Sequence, residues 1–411
     1  MKNTNGWLLI ALSLIVWSCS KDNENPVKEE YEAKTLISAK LVSSYTSQQV
    51  EFLLLAAETQ LGGELQLTGR NTSGIKVYEV EYKSEYINEQ EITLSGLVCI
   101  PDNPNTENKI VSFQNGTMSL HSSAPTKQLS HPEFLILQSL AGLGFVVTIS
   151  DYVGFGTSEQ LQHPYHHKTL FQHSIVNLII AAQDMSLSNN YNFKLNGDLF
   201  LSGYSLGGWA SLVTHKYLED KPIDGINLVG SACGAGAYNL VNMRDYLVEQ
   251  SDYAQPFYIP NMLMGYKSTG DLNEDLSFYV NEPYASKIPE LIDGKHSSGQ
   301  VNAELSHDMS ELLSDGFIND FYNDAHTGWT ELRQVLTNNS QLAWDNKRPI
   351  SLFHGNEDEQ VPFIISEKLM QDFRAIGVTE NQVSFTPLTG HNHGTGVMPM
   401  YVQVIGDLLE E

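Results

Sequence analysis

The chain has 411 residues, 41% hydrophobic and 18% charged, which suffices for one large α/β domain or two modest ones. Its formal net charge of −26 argues against nucleic acid or an anionic membrane surface as the partner. An acidic, solvated surface accounts for that balance, and it defines no substrate.

The N-terminus reads as a targeting segment and is set aside before the fold is considered. Lys2 supplies a short positive region, and Trp7 to Trp17 an apolar one that is short for a membrane span. The run ends in Val16-Trp17-Ser18-Cys19, which resembles the lipobox of bacterial lipoproteins and implies a signal peptide over 1–18 with acylation of Cys19. Acyl chains contribute about 0.8 kcal/mol per buried methylene, so several of them hold a soluble domain on a membrane. Lys21-Asp22-Asn23-Glu24 resembles the acidic export tag of surface lipoproteins of the Bacteroides type, which implies the outer membrane or cell surface. The plainer alternative is a cleaved secretory peptide with an incidental Cys19, and a secreted or periplasmic protein. Residues 19–45 are predicted to be a tether, polar and acidic over 20–35. The remaining cysteines, Cys99 and Cys233, lie in apolar strand-like context and read as buried free thiols.

A helical patch runs from about Ser47 to Gln60, with Val50, Leu54 and Ala57 among its apolar positions. Lys76 to Tyr82 alternates cleanly, and Ile92 to Ile100 is stopped by Pro101-Asp102, so the pair reads as an antiparallel hairpin. Strand and helix then alternate. Lys109 to Phe113 is a strand, followed by a helix with Ser130 and Glu133 as a capping box and Gly142 and Gly144 at its end. Phe145 to Ile149 is a strand and Ile175 to Ala182 an apolar helix. Asp198 to Ser202, Ile226 to Val229, Pro349 to Phe353 and Val383 to Leu388 are further strands, with helices around Gly208–His215, Ser366–Ala375 and the C-terminus. This rhythm predicts an α/β fold with a mostly parallel mixed sheet and helices on both faces. Residues 46–239 and 346–411 form its core. Residues 240–345 break the rhythm with amphipathic helices and loops, and read as a helical cap insertion or, alternatively, a separate helical domain.

The chemistry starts at Gly203-Tyr204-Ser205-Leu206-Gly207, between an apolar strand and a helix. Such a strand–turn–helix places a serine hydroxyl at the tip of a sheet, beside a helix N-terminus. A serine needs a base, and the base needs an orienting carboxylate. His354-Gly355-Asn356-Glu357-Asp358-Glu359-Gln360-Val361-Pro362 follows a strand and offers three acids, with Asp358 favoured by its position before Val361-Pro362. The last strand leads into Gly390-His391-Asn392-His393-Gly394, where the glycines favour His393 as the base and His391 is the alternative. Backbone donors for an oxyanion are expected from Leu206, just after the serine, and from Thr117, or alternatively Gly116. His163, His166 and His167 cluster in a short loop with no accompanying carboxylate or cysteine, so metal binding there is the minor reading.

With these pieces in place the chain resembles an α/β-hydrolase, and within that superfamily the secreted lipase and esterase group of fungi and bacteria. The resemblance covers almost everything after residue 75. It rests on Ser95-Gly96-Leu97-Val98 with Pro101, Gln114-Asn115-Gly116-Thr117, Asp151 to Ser158, His163-Pro164-Tyr165, the serine turn, and His354-Gly355-x-x-Asp358-x-x-Val361-Pro362. It implies Asp358 as the acid and Asp151 as a scaffold residue. Asn115 stands where the group usually carries the histidine of His-Gly-Thr, which implies a shifted substrate preference or pH dependence. The implied activity is hydrolysis of carboxylic esters through an acyl-enzyme, with no metal or organic cofactor. The alternatives are a carbohydrate esterase acting on acetyl or feruloyl groups of an acylated polysaccharide, a serine peptidase, and a surface binding protein that has lost its chemistry.

Overall fold

The computed structural model describes residues 31–188 and 190–410. The expected signal peptide and Cys19 lie outside the described residues. Strand β1 (Leu36–Tyr45) and helix α1 (Ser47–Gln60) open the fold, with Thr46 and Gln49 forming a reciprocal cap at the start of α1. Next come β2 (Ile75–Glu85), β3 (Glu91–Pro101), β4 (Glu107–Gln114), α2 (Pro132–Ala141), β5 (Phe145–Ser150) and α3 (Lys168–Leu187). Strand β6 (Lys194–Tyr204) leads into α4 (Leu206–Asp220), and β7 (Asn227–Gly234) follows. Between β7 and the next strand the chain is helical, from α5 (Leu240–Leu247) and α6 (Tyr258–Thr269) through α7 (Leu276–Tyr279), α8 (Tyr284–Leu291), α9 (Ser298–Asn302), α10 (Met309–Leu312) and α11 (Asp315–Asn319) to α12 (Thr327–Asn339). Strand β8 (Ile350–Gly355), α13 (Ile364–Ala375), β9 (Val383–Leu388) and α14 (Val397–Glu410) complete it.

Among the described residues the strands form one sheet of nine in the order β1-β2-β3-β5-β4-β6-β7-β8-β9. The pairs from β1 to β5 are antiparallel, and those from β5 to β9 are parallel. The period-2 alternation of each strand feeds two cores. On β3, Leu94, Val98 and Ile100 pack with α3 and α4 residues such as Phe171 and Trp209, whereas Leu97 and Cys99 pack with Leu54, Phe134 and Met400 of α1, α2 and α14. Burial pushes the Cys99 and Cys233 thiols up to about 12, so neither is a thiolate at neutral pH.

Register decides where function can gather. Gln114 pairs with Gly203, Tyr204 with Gly234, Gly234 with Phe353, and Phe353 with Thr386. The loops leaving β4, β6, β8 and β9 therefore emerge at one edge of the sheet, the carboxyl end of its parallel strands.

Two expectations need correction. Leu36 to Tyr45 is an edge strand rather than part of a tether: it pairs with β2, and the Asp184 carboxylate accepts from the Thr35 and Leu36 N–H groups at 2.8 and 2.9 Å. The Ser130–Glu133 capping box does not form. Pro132 has no N–H and a fixed φ that suits the first helical turn, so α2 starts there, His131 occupies the cap, and the Glu133 carboxylate accepts from the Tyr401 hydroxyl at 2.5 Å.

Candidate active site

Ser205 joins β6 to α4 with φ 58° and ψ −123°, a conformation that costs about 1–3 kcal/mol and persists only where its surroundings enforce it. The enforcement is visible. Its N–H donates to the Gly234 carbonyl at 2.8 Å, and its carbonyl accepts from Trp209 N–H at 3.1 Å. The motif glycines are required by close backbone approach: a Cβ on Gly207 would lie 2.0 Å from the Gln114 carbonyl oxygen, and one on Gly203 would lie 2.5 Å from that of Gly207. The turn leaves Leu206 as the first residue of α4, where a helix has N–H groups with no partner inside it.

His393 lies with Nε2 2.9 Å from Ser205 Oγ and Nδ1 2.6 Å from Asp358 Oδ2. The Asp358 side chain is wholly buried and its oxygens are fully engaged. Oδ1 accepts the backbone N–H groups of Gln360 and Val361, both at 2.9 Å, and Oδ2 also lies 3.1 Å from His354 Nε2. Burial alone would raise this carboxyl, yet the hydrogen bonds from His354 and His393 outweigh it and hold it at about 2. The neighbouring acids Glu357 and Glu359 are exposed. His391 contributes its carbonyl, which accepts from Glu357 N–H at 3.0 Å, and among the described hydrogen bonds its ring has none to Ser205 or Asp358.

Thr117 Oγ1 is 2.9 Å from the Tyr165 hydroxyl, and Gly116 sits beside the Tyr204 carbonyl, 3.8 Å from where its Cβ would be. Asn115 is buried, with its amide against Met118 Sδ at 3.5 Å and its carbonyl accepting from the Tyr152 hydroxyl at 3.2 Å. Asp151 accepts from Ser95 Oγ at 2.6 Å and from Thr126 N–H and Oγ1 at 3.0 and 2.7 Å, which ties together the loops behind the site. A cavity of about 620 Å³, counting its open mouth, begins at Ser205 and Leu206 and runs under the helical insertion along Leu240, Met243, Leu247, Ile259, Met262 and Phe317.

Sequence reasoning missed the contacts between this insertion and the acid loop. The Tyr253 hydroxyl donates to the Gln360 carbonyl at 2.8 Å, and the Tyr258 hydroxyl to the Gln360 side-chain oxygen at 2.9 Å. These partners lie more than 100 residues apart in the chain, and no local pattern announces them.

The histidine loop is structural in its contacts. Among the described residues no three His, Cys, Asp or Glu side chains gather as metal ligands. His163 Nδ1 donates to the Val153 carbonyl at 2.7 Å, and His167 caps α3 and faces Asp271 at 3.3 Å. Burial pushes His163 down to about 4 and His166 to about 3, so both stay neutral while an unfolded chain takes up protons near 6.5. Between those values the unfolded state binds more protons, so stability falls as pH falls, by about 1.4 kcal/mol per pH unit for each imidazole. Asp358 acts in the same direction lower down, where its contribution is lost as pH falls from the free value of 3.8 through about 2. Thermal unfolding followed from pH 7 to 4.5 is expected to show a falling midpoint. His163→Asn, which keeps a donor for Val153, is expected to flatten that slope; an identical slope in both proteins would refute the assignment.

The sequence profile of secretory lipases matches residues 118–400, more than half of the chain. No curated protein matches it in sequence. Among solved structures it is similar to a provisionally named hydrolase of Legionella pneumophila (19% identity, TM-score 0.76, 92% of this chain and 98% of that one). It is also similar to the rice cell wall degrading esterase LipA of Xanthomonas oryzae, at 22% identity and a TM-score of 0.73 over 91% of this chain and 96% of that one. Lipase A of Candida antarctica is a more distant likeness, at 15% identity and a TM-score of 0.59 over 88% and 78%. Among the described residues no helix is long and apolar enough to cross a membrane. The fold is that of the α/β-hydrolases, and the chain belongs to the secretory lipase family, as a carboxylic ester hydrolase.

Proposed function

We propose that this hydrolase works through a serine acyl-enzyme. Ser205 attacks the ester carbonyl, His393 takes the hydroxyl proton and returns it to the departing alcohol, and Asp358 fixes the imidazole tautomer. Water then enters, with the same base, and releases the acid. The observation that carries this reading is the unbroken chain from Ser205 Oγ through His393 to Asp358, at 2.9 and 2.6 Å. The N–H of Leu206, with that of Thr117 or Gly116, stabilises the tetrahedral oxyanion, and losing one donor of such a site costs roughly 10²–10³ in rate.

Residues 240–345 serve as a cap whose underside receives the acyl chain, since the cavity beside Ser205 is lined mostly by aliphatic, thioether and aromatic side chains, with Arg244 and His166 among the polar members of its wall. A series of nitrophenyl esters from acetate to palmitate tests this. Leu247→Trp, which fills part of the cavity, is expected to lower kcat/KM for the longer esters by about tenfold or more while acetate falls less than about threefold. A uniform loss at every chain length would remove the cavity from the reading. The likeness to a cell wall degrading esterase supports a second reading, in which the alcohol side is a polysaccharide. Acetylated and feruloylated sugars assayed beside the fatty esters separate the two. The Ser18-Cys19 junction at the end of the apolar run supports export and lipid anchoring through Cys19.

A further inference from the structure

His354, the penultimate residue of β8, has a side chain buried completely beside the acid. Its Nε2 is 2.8 Å from the Val361 carbonyl and 3.1 Å from Asp358 Oδ2. A carbonyl and an ionised carboxylate only accept, so Nε2 carries a hydrogen. Nδ1 is 2.6 Å from Ser366 Oγ, a hydroxyl that can donate as well as accept, so a ring with its hydrogen on Nε2 finds a partner at each nitrogen. Phe363 stands edge-on to the ring, with centroids 5.7 Å apart. Val361 is gripped twice, its N–H by Asp358 Oδ1 and its carbonyl by His354.

We propose that His354 is a positioning residue for ester hydrolysis: its Nε2–H, shared between Val361 and Asp358, holds the carboxylate in line for His393 and draws charge from the oxygen that His393 uses. The inference rests on the assignment of Ser205, His393 and Asp358 in the preceding subsection. Two N–H groups share Oδ2, and the His393 contact is the shorter, 2.6 Å against 3.1 Å. Removing the His354 donor returns negative charge to Oδ2. The carboxylate then attracts the His393 imidazolium more strongly, and the acid limb of activity moves to higher pH. The phenols of Tyr204, Tyr246, Tyr253 and Tyr258 also interact with this carboxylate, and Glu359 follows it in the chain with an exposed side chain. All four phenols are pushed up, first by burial and then by neighbouring carboxylates or, for Tyr253 and Tyr258, neighbouring phenols, so none of them titrates across the acid limb.

The test is kcat/KM against pH, expressed per active site titrated with a fluorophosphonate, for wild type, His354→Leu, His354→Gln and His354→Asn. In His354→Leu, kcat is expected to fall about 10–100-fold with KM within about twofold, and the acid limb to rise by about half a pH unit. Gln places an amide donor near the Nε2 position and is expected to restore both the limb and most of the rate. Asn stops short of that position and is expected to behave as Leu does, so it replaces Leu if that variant does not fold. A residue needed only for folding would lower the number of titrated sites and leave the limb in place. An unchanged limb and unchanged kcat per site in both Leu and Asn would overturn the role of His354 and leave the triad untouched. Wild-type activity in Ser205→Ala would overturn the triad itself.

Discussion

Ser205→Ala is expected to lower kcat/KM for a short nitrophenyl ester by at least about 10⁴-fold while the protein unfolds at nearly the wild-type temperature. The two halves of that expectation come from different atoms. The turn is held by backbone groups, with Ser205 N–H on Gly234 and the Ser205 carbonyl on Trp209, and neither is touched by the substitution. Alanine meets the same strain at φ 58° that serine does. The hydroxyl itself has one described partner, His393 Nε2. Its removal therefore deletes the nucleophile and leaves the fold alone. Residual hydrolysis from the oxyanion donors and substrate binding is expected to remain above the rate in water. Equal rates in wild type and variant would end the serine mechanism, whatever the fold.

What the sequence made legible follows from how local each constraint is. The strand–turn–helix around Ser205 is local: Gly203 and Gly207 are demanded by carbonyl oxygens 2.5 and 2.0 Å from where their Cβ atoms would lie. The buried parallel strands are also local, being short apolar runs between helices. Strand β1 escaped because it is an edge strand with irregular register between Leu36 and Ser38 and again between Leu41 and Ser43. Each irregularity moves the following residues to the other face, so Leu36-Ile37 and Leu41-Val42 appear as apolar pairs rather than as alternation. The start of α2 turned on a competition between two local signals, in which the conformation of Pro132 prevailed over the Ser130–Glu133 spacing. The two candidate histidines, His391 and His393, differ by two positions in one loop, and spacing ranks them only weakly. In the folded loop the His391 backbone is spent on Glu357 while the His393 ring lies between Asp358 and Ser205. The grip of Tyr253 and Tyr258 on Gln360 depends on how a helical insertion folds back over the sheet, a long-range fact that no window of sequence contains.

Asp358→Asn is expected to lower kcat/KM by about 10⁴-fold with a comparatively small loss of stability, and the reason is a donor count. Both oxygens of Asp358 face donors. Oδ1 faces the backbone N–H groups of Gln360 and Val361, which cannot reverse their polarity, so the amide oxygen of the asparagine must take that side. The amide NH₂ is then forced to the Oδ2 side, against His393 Nδ1 and His354 Nε2. His354 keeps the Val361 carbonyl as an acceptor and tolerates the change. His393 has no such alternative on that side, and its Nδ1 must become the acceptor. The proton moves to Nε2, which then points a hydrogen at Ser205 Oγ in place of the lone pair that should receive the hydroxyl proton. The base is thereby lost with every heavy atom still in position. Nitrogen NMR of the His393 ring reads the tautomer directly: protonated Nδ1 in the wild type and protonated Nε2 in the variant. A variant within tenfold of wild-type activity, or an unchanged His393 tautomer, would remove Asp358 from the orienting role.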